Sequence, residues 1–144
     1  MRIYTGSYRL VFISKNYAFK IPNAFSRKLD DHNNEYIEMS YKYFKQGLLS
    51  NKKEISNWKR NKDMRHILCP IVFHIFGFLI VMKKANSFDR KNELMVSKYK
   101  ELIEKYKNHV LLEDIKLENI GSLNNKIVII DYGGFVKSNT RKLT

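Results

Sequence analysis

Four side chains in the C-terminal third have the types and spacing that group-transfer chemistry asks for: Asp114, Lys116, Asn119 and Asp131. Carboxylate and amide oxygens are the ligands a hard cation such as magnesium takes. A carboxylate against a hydroxyl orients it and accepts its proton. An ammonium nearby supplies positive charge for an anion. A second lysine, Lys20, lies in the apolar stretch Tyr17-Ala18-Phe19-Lys20-Ile21, and the glutamates Glu35, Glu38 and Glu54 follow it. The four histidines, His32, His66, His74 and His109, show no zinc spacing, and surface or half-buried structural roles suit them. The single cysteine, Cys69, stands beside Pro70 in an apolar run. It rules out an internal disulfide, reads as a buried structural thiol and fits a reducing, cytoplasmic setting, which for a viral chain is the host cytoplasm.

The segment Asp114-Ile115-Lys116-Leu117-Glu118-Asn119, followed after seven residues by Ile127-Val128-Ile129-Ile130-Asp131-Tyr132-Gly133, resembles the catalytic loop and the metal-binding Asp-Phe-Gly turn of protein kinases. Phosphoryl transfer needs an acceptor held in line, cations on the developing charge and carboxylates to hold those cations. The resemblance implies that Asp114 orients the acceptor hydroxyl and that Lys116 lies near the transferring phosphate. It gives Asn119 and Asp131 the magnesium. At the other end, Gly6-Ser7-Tyr8 with Val11 looks like the tip of a kinase Gly-rich loop, and Ala18-Phe19-Lys20-Ile21 like the Val-Ala-Ile-Lys strand. Lys20 then reaches the ATP phosphates, while Val11 and Ala18 cap the adenine. Met82 falls at the back of the ATP pocket, and Lys83 to Ala85 resembles the hinge whose backbone binds adenine. Of the loop's three glycines only the middle one is kept, with Tyr4 and Arg9 at the outer positions. Gly121 replaces the usual apolar floor beneath adenine.

The glutamate expected to pair with Lys20 follows from helix geometry. Four residues after it, the family carries an apolar side chain packing toward the metal-binding turn, because i and i+4 share a helix face. From Glu54 that residue is Trp58, from Glu35 it is Met39, and from Glu38 it is Lys42. Glu54 is the expected partner, with Glu35 and Glu38 as alternatives. Leu112 and Glu113 stand where the family has His and Arg, so switching by loop phosphorylation is not expected. Only 11 residues, Gly134 to Thr144, follow the Asp-Tyr-Gly turn, too few for an activation segment or the usual helical remainder. Such reductions resemble small phage and bacterial kinase-like proteins.

The elements that must position these groups can be read from periodicity. The first 22 residues read as three short strands with turns at Gly6-Ser7 and Ser14-Lys15-Asn16. From Ser26 to Gln46 the pattern is helical, with Tyr36, Met39, Tyr43 and Phe44 on one side, and Gly47 breaks it. A second helix is expected from about Leu49 to Asn61, turning Ile55 and Trp58 inward. Strands near Leu68–His74 and Phe78–Met82 flank Phe76-Gly77, and Asn92–Lys107 is the clearest amphipathic helix. A short strand, an irregular polar loop, a strand Ile127–Ile130 and a turn at Asp131-Tyr132-Gly133 close the pattern. The expected fold is α+β and protein-kinase-like, a single domain over residues 1–144. About 1–83 would form a small antiparallel-sheet N-lobe with helices, and 84–144 a much reduced C-lobe.

With 44% hydrophobic and 13% aromatic residues, the 144-residue chain is globular in type. Its longest apolar run, Ile67 to Met82, is too broken by Pro70, His74 and Gly77 for a membrane span. The net charge of +13 fits an anionic ligand such as a nucleotide, an acidic partner or, less well given its scatter among Asn and Tyr, nucleic acid. The implied function is a Mg-ATP-dependent protein kinase acting on Ser or Thr of an unidentified protein. The alternatives are a pseudokinase-type regulatory module and a small-molecule kinase, against which Lys116 speaks. A short lobe with exposed apolar faces also suggests a completing partner chain or homodimer.

Overall fold

Alternating side chains interrupted by short polar turns build the N-terminal strands. A computed structural model describes residues 2–108 and 115–133. In it, β1 (Arg2–Thr5), β2 (Arg9–Ile13) and β3 (Tyr17–Pro22) form the expected antiparallel meander. The next segment differs from expectation. Residues 26–46 do not make one helix: β4 (Phe25–Leu29) and β5 (Glu35–Met39) form a separate two-stranded ribbon, and helix α1 starts only at Tyr41, running to Arg60. Turn chemistry overrides the helical spacing here. The Asp30 carboxylate accepts from the backbone N–H of His32 (2.9 Å) and Asn34 (2.7 Å), and Asn33 takes a positive φ of 62°. After α1 come β6 (Ile71–Ile75), β7 (Leu79–Lys83), β8 (Asn86–Ser87), helix α2 (Glu93–Tyr106), β9 (Ile120–Leu123) and β10 (Lys126–Ile129). Over the described residues the protein is therefore mixed α+β, with antiparallel sheets and two α-helices.

Hydrogen bonds from Asn34, its side-chain amide first, hold the Asp30 carboxyl below the usual carboxylate range. A lowered folded pKa means the turn gains stability above the unfolded value and loses it as pH falls through the folded value. The amide resonances of His32 and Asn34 should accordingly stay fixed through the ordinary aspartate range, near pH 3.9, and move only at more acid pH. Movement centred on the ordinary value would contradict the assigned bonds.

Contacts divide the chain into two compact units, Met1–Ile55 with Ile71–Lys84, and Ser56–Pro70 with Ala85–Thr144. In the first, the sheet runs β1-β2-β3-β7-β6. Three residues, Phe76 to Phe78, join β6 to β7; Phe78 N–H donates to the Ile75 carbonyl at 2.7 Å, closing a turn with Phe76 at φ 41° and Gly77 at φ 91°, the twist a tight hairpin needs. Gly47 does not break α1 but lies buried within it. A Cβ there would stand 2.1 Å from the Tyr8 carbonyl oxygen and 2.9 Å from Pro22 Cα, so only glycine lets the helix approach β2 and β3. Helix propensity alone favours Gly47→Ala by about 1 kcal/mol. Overpacking against backbone costs about 3 kcal/mol, so the variant should be the less stable. A denaturant midpoint equal to or above wild type would contradict this close approach.

In the second unit, α2 carries the expected N-cap: the Asn92 side chain accepts from Met95 N–H at 3.1 Å. α2 lies against β10 and buries Leu102. Where a polar loop is expected before Ile127, the chain instead makes a 3-10 turn (Leu117–Asn119) and β9, then turns back through Asn124 and Asn125, both at positive φ. The sheet order is β10-β9-β8, and Ile67, Leu68, Ile115, Ile120, Val128 and Ile129 form the apolar core. Among the described residues, no helix is long and apolar enough to cross a membrane.

Candidate active site

Register places much of the N-terminal candidate set on one sheet face. Val11 pairs with Lys20, Ile13 with Ala18, and Ala18 with Met82. Paired residues share a face and neighbours two apart do too, so Val11, Ala18, Lys20 and Met82 lie together with Arg9. Glu54 comes from α1. Lys20 Nζ donates to Glu54 Oε1 at 2.8 Å and to Oε2 at 3.0 Å, and the carboxylate is fully buried. The alternatives are placed elsewhere: Glu38 pairs with Lys28 across the ribbon, raising the Lys28 pKa, and Glu35 is exposed in β5.

The helix reaches this position by a stripe at i, i+4, i+7: Gly47, Asn51 and Glu54 are all buried. Asn51 Nδ2 donates to the Gly77 carbonyl at 2.8 Å and the Lys20 carbonyl at 3.3 Å, fixing the backbone from which Lys20 projects. Arg9 Nη1 also donates to Glu54 Oε2, at 2.7 Å. In the sequence Arg9 stands out only as a departure from a glycine pattern; its place two residues before Val11, hence on the same face, is the available signal.

Gly6 and Ser7 form the β1–β2 turn, where Gly6 N–H donates to the Arg9 carbonyl at 2.8 Å. Thr5, Gly6 and Ser7, together with Asn23, Ser26 and Tyr43, border a cavity of about 390 Å³. The Lys83 ammonium lies 5.1 Å from the Tyr17 ring centroid, and Lys84 N–H donates to the Asn16 carbonyl at 2.9 Å. Any adenine contact from Lys83 would therefore be through backbone. Ala85, in the second unit, explains Gly121. A Cβ at Gly121 would stand 2.9 Å from Ala85 Cβ and 2.8 Å from the Asn86 carbonyl oxygen, so a side chain there would push β8 off β9.

The β9–β10 hairpin brings the backbones of the two candidate metal ligands near one another. Ile120 pairs with Ile129, and one step beyond, Ile130 N–H donates to the Asn119 carbonyl at 2.7 Å. The backbones of Asn119 and Asp131 thus lie one residue apart across the open end of the hairpin, and their amide oxygen and carboxylate are both of the kind magnesium takes. Lys116 is exposed just before the 3-10 turn, and its carbonyl accepts from Asn119 N–H at 2.9 Å. Asp114 lies outside the described residues.

The Asp131-Tyr132-Gly133 turn is held firmly. Tyr132 is fully buried, and its hydroxyl donates to the Cys69 carbonyl at 2.9 Å. Cys69 N–H donates to the Ile129 carbonyl at 2.9 Å, which ties residues 67–69 alongside β10. Asn57 Nδ2 donates to the Tyr132 carbonyl at 2.8 Å. Trp58, expected to turn inward, is half-buried instead, with the Arg65 guanidinium 4.5 Å from its ring centroid. A polar contact from Asn57 grips the turn. Cys69 is buried, as the apolar setting implied.

No protein-family model matches the chain, and no curated protein matches it. The site's chemistry rests on its own residues.

Proposed function

We propose that the chain is a kinase-type phosphotransferase that takes Mg-ATP and passes its γ-phosphate to an acceptor hydroxyl, most naturally Ser or Thr of a protein. One observation carries this reading: the ammonium of Lys20 is fixed by the buried carboxylate of Glu54, 34 residues away, on the face that also carries Val11, Ala18 and Met82. A cation so anchored, beside small and apolar side chains, suits a ligand with a phosphate chain and a flat apolar ring. Asn119 and Asp131 support the reading as magnesium ligands. In it, Lys20 draws the α- and β-phosphates, Lys116 attends the moving phosphoryl group, and Asp114 orients the acceptor. The backbone of Lys83 and Ala85 meets adenine, with Gly6 and Ser7 over the phosphates.

A second reading, a nucleotide-binding module that regulates a partner, is favoured by the β1–β2 turn. Gly6 N–H there serves the Arg9 carbonyl and does not face outward to a phosphate.

Incubation with labelled ATP and magnesium, with and without cell extract, separates the two. Label on the chain or on an extract protein supports the transferase; Mg-ATP binding with no label anywhere supports the module. For the ion pair, Glu54→Gln should lower turnover by about 10²-fold, because it loosens the group that positions the phosphates. Glu38→Gln and Glu35→Gln should leave turnover near wild type. Equal losses in all three variants would remove Glu54 from the site.

A further inference from the structure

Two cations end on one buried carboxylate. Arg9 Nη1 lies 2.7 Å from Glu54 Oε2, while Lys20 Nζ lies 2.8 Å from Oε1 and 3.0 Å from Oε2. The side chains of Arg9, Lys20 and Glu54 are only 14%, 7% and 0% exposed, so water screens these interactions weakly. Oε2 is shared. Negative charge that Glu54 commits to the guanidinium is withdrawn from the ammonium, and Lys20 presents more of its own positive potential to any further group.

Arg9 also stands at a mechanical junction. Its carbonyl closes the β1–β2 turn on Gly6 N–H, and α1 is pressed against Tyr8 and Pro22 through Gly47. The guanidinium therefore fixes Glu54 from the turn side, while Asn51 fixes the Lys20 backbone from the helix side. A planar, permanently charged fork does this better than an ammonium.

We propose that Arg9 is a positioning residue for the anion-binding lysine: through Glu54 it sets where the Lys20 ammonium points and how strongly it draws the phosphates of a nucleotide. This rests on the nucleotide reading above. Arg9 acts on the phosphate part of the ligand and is indifferent to the adenine ring.

The test is calorimetric titration of the full chain and its Arg9→Gln and Arg9→Lys variants with Mg-ADP and, separately, with adenosine. Arg9→Gln should weaken Mg-ADP about tenfold and leave adenosine unchanged, and Arg9→Lys, which keeps the charge but not the planar fork, should recover only part of that loss. Loss of both ligands in proportion marks an ordinary structural role and overturns the proposal, as does no loss of either. Should Arg9→Gln not fold, Arg9→Lys decides alone: a fall in Mg-ADP affinity with adenosine unchanged supports the proposal, and parallel or absent changes overturn it. Wild-type protein that binds neither ligand overturns the nucleotide reading and this inference with it. Wild-type binding matched by Arg9→Gln overturns this inference only.

Discussion

Asp114→Asn should lower phosphate transfer by about 10²–10⁴-fold, the range of a positioned general base, while Mg-ATP binding stays nearly intact. The substitution keeps the shape and hydrogen-bonding reach of the side chain and removes the charge that, on the proposed reading, would orient the acceptor and take its proton. Binding should survive because phosphates and metal are assigned to other groups: Lys20, held by Glu54, and the Asn119–Asp131 pair at the hairpin end. Transfer onto any acceptor, the chain's own Ser, Thr or Tyr residues included, should fall together. If Asp114→Asn matched wild type in both binding and transfer, the assignment of Asp114 would be wrong.

The second large effect is on ligand binding itself. Asp131→Ala should abolish the rise in melting temperature that Mg-ATP gives the wild type. A ligand at one hundred times its Kd stabilises the folded state by about 2.7 kcal/mol, which for a domain of this size is a shift of several degrees. On the proposed reading, the amide of Asn119 alone would be a poor magnesium ligand, and the cation that would offset the phosphate charge would no longer be held. The apo melting temperature should change little. The turn is held by Tyr132 to the Cys69 carbonyl and by Asn57 to the Tyr132 carbonyl, and neither bond involves the Asp131 side chain. An undiminished Mg-ATP shift in Asp131→Ala would mean that nucleotide binds elsewhere.

The strands that carry Lys20 and Met82 were legible because turn residues bracket apolar alternation, and α2 because Asn92 caps a clear amphipathic stripe. The ribbon β4–β5 was not. Phe25, Ile37 and Met39 are all more than half exposed, so the ribbon has no buried stripe to betray its period of two. The chance spacing of Tyr36, Met39 and Tyr43 imitated a helix. The dense run of turn formers from Asp30 to Asn34 was the better guide. Gly47 misled for a related reason: glycine lowers helix propensity, but a close backbone approach can demand it in a helix interior, and no local signal announces such an approach.

Glu54 was identified as the partner of Lys20 through Trp58, an argument the structure replaces. The helix end does meet the Asp-Tyr-Gly turn, but by the amide of Asn57, one residue earlier. Arg9 on Glu54 was hidden because it depends on strand register, which a single sequence fixes poorly when both faces of a strand are half-buried.

The β9–β10 hairpin turns the interval between Asn119 and Asp131 into a matter of parity. Its two-residue turn at Asn124-Asn125 leaves equal strands on either side, and only with equal strands does Ile130 N–H face the Asn119 carbonyl. Lengthening each strand by two residues preserves that meeting, whereas one residue on each strand moves the pair to a position where the two backbones do not bond, and a single residue on one strand shifts the register unless a bulge absorbs it. Distant chains built on the same plan should thus vary this interval in steps of four. A sequence search that holds the motifs fixed and lets the spacer grow only by fours tests this, and spacers that grow by odd numbers without a bulge would contradict it.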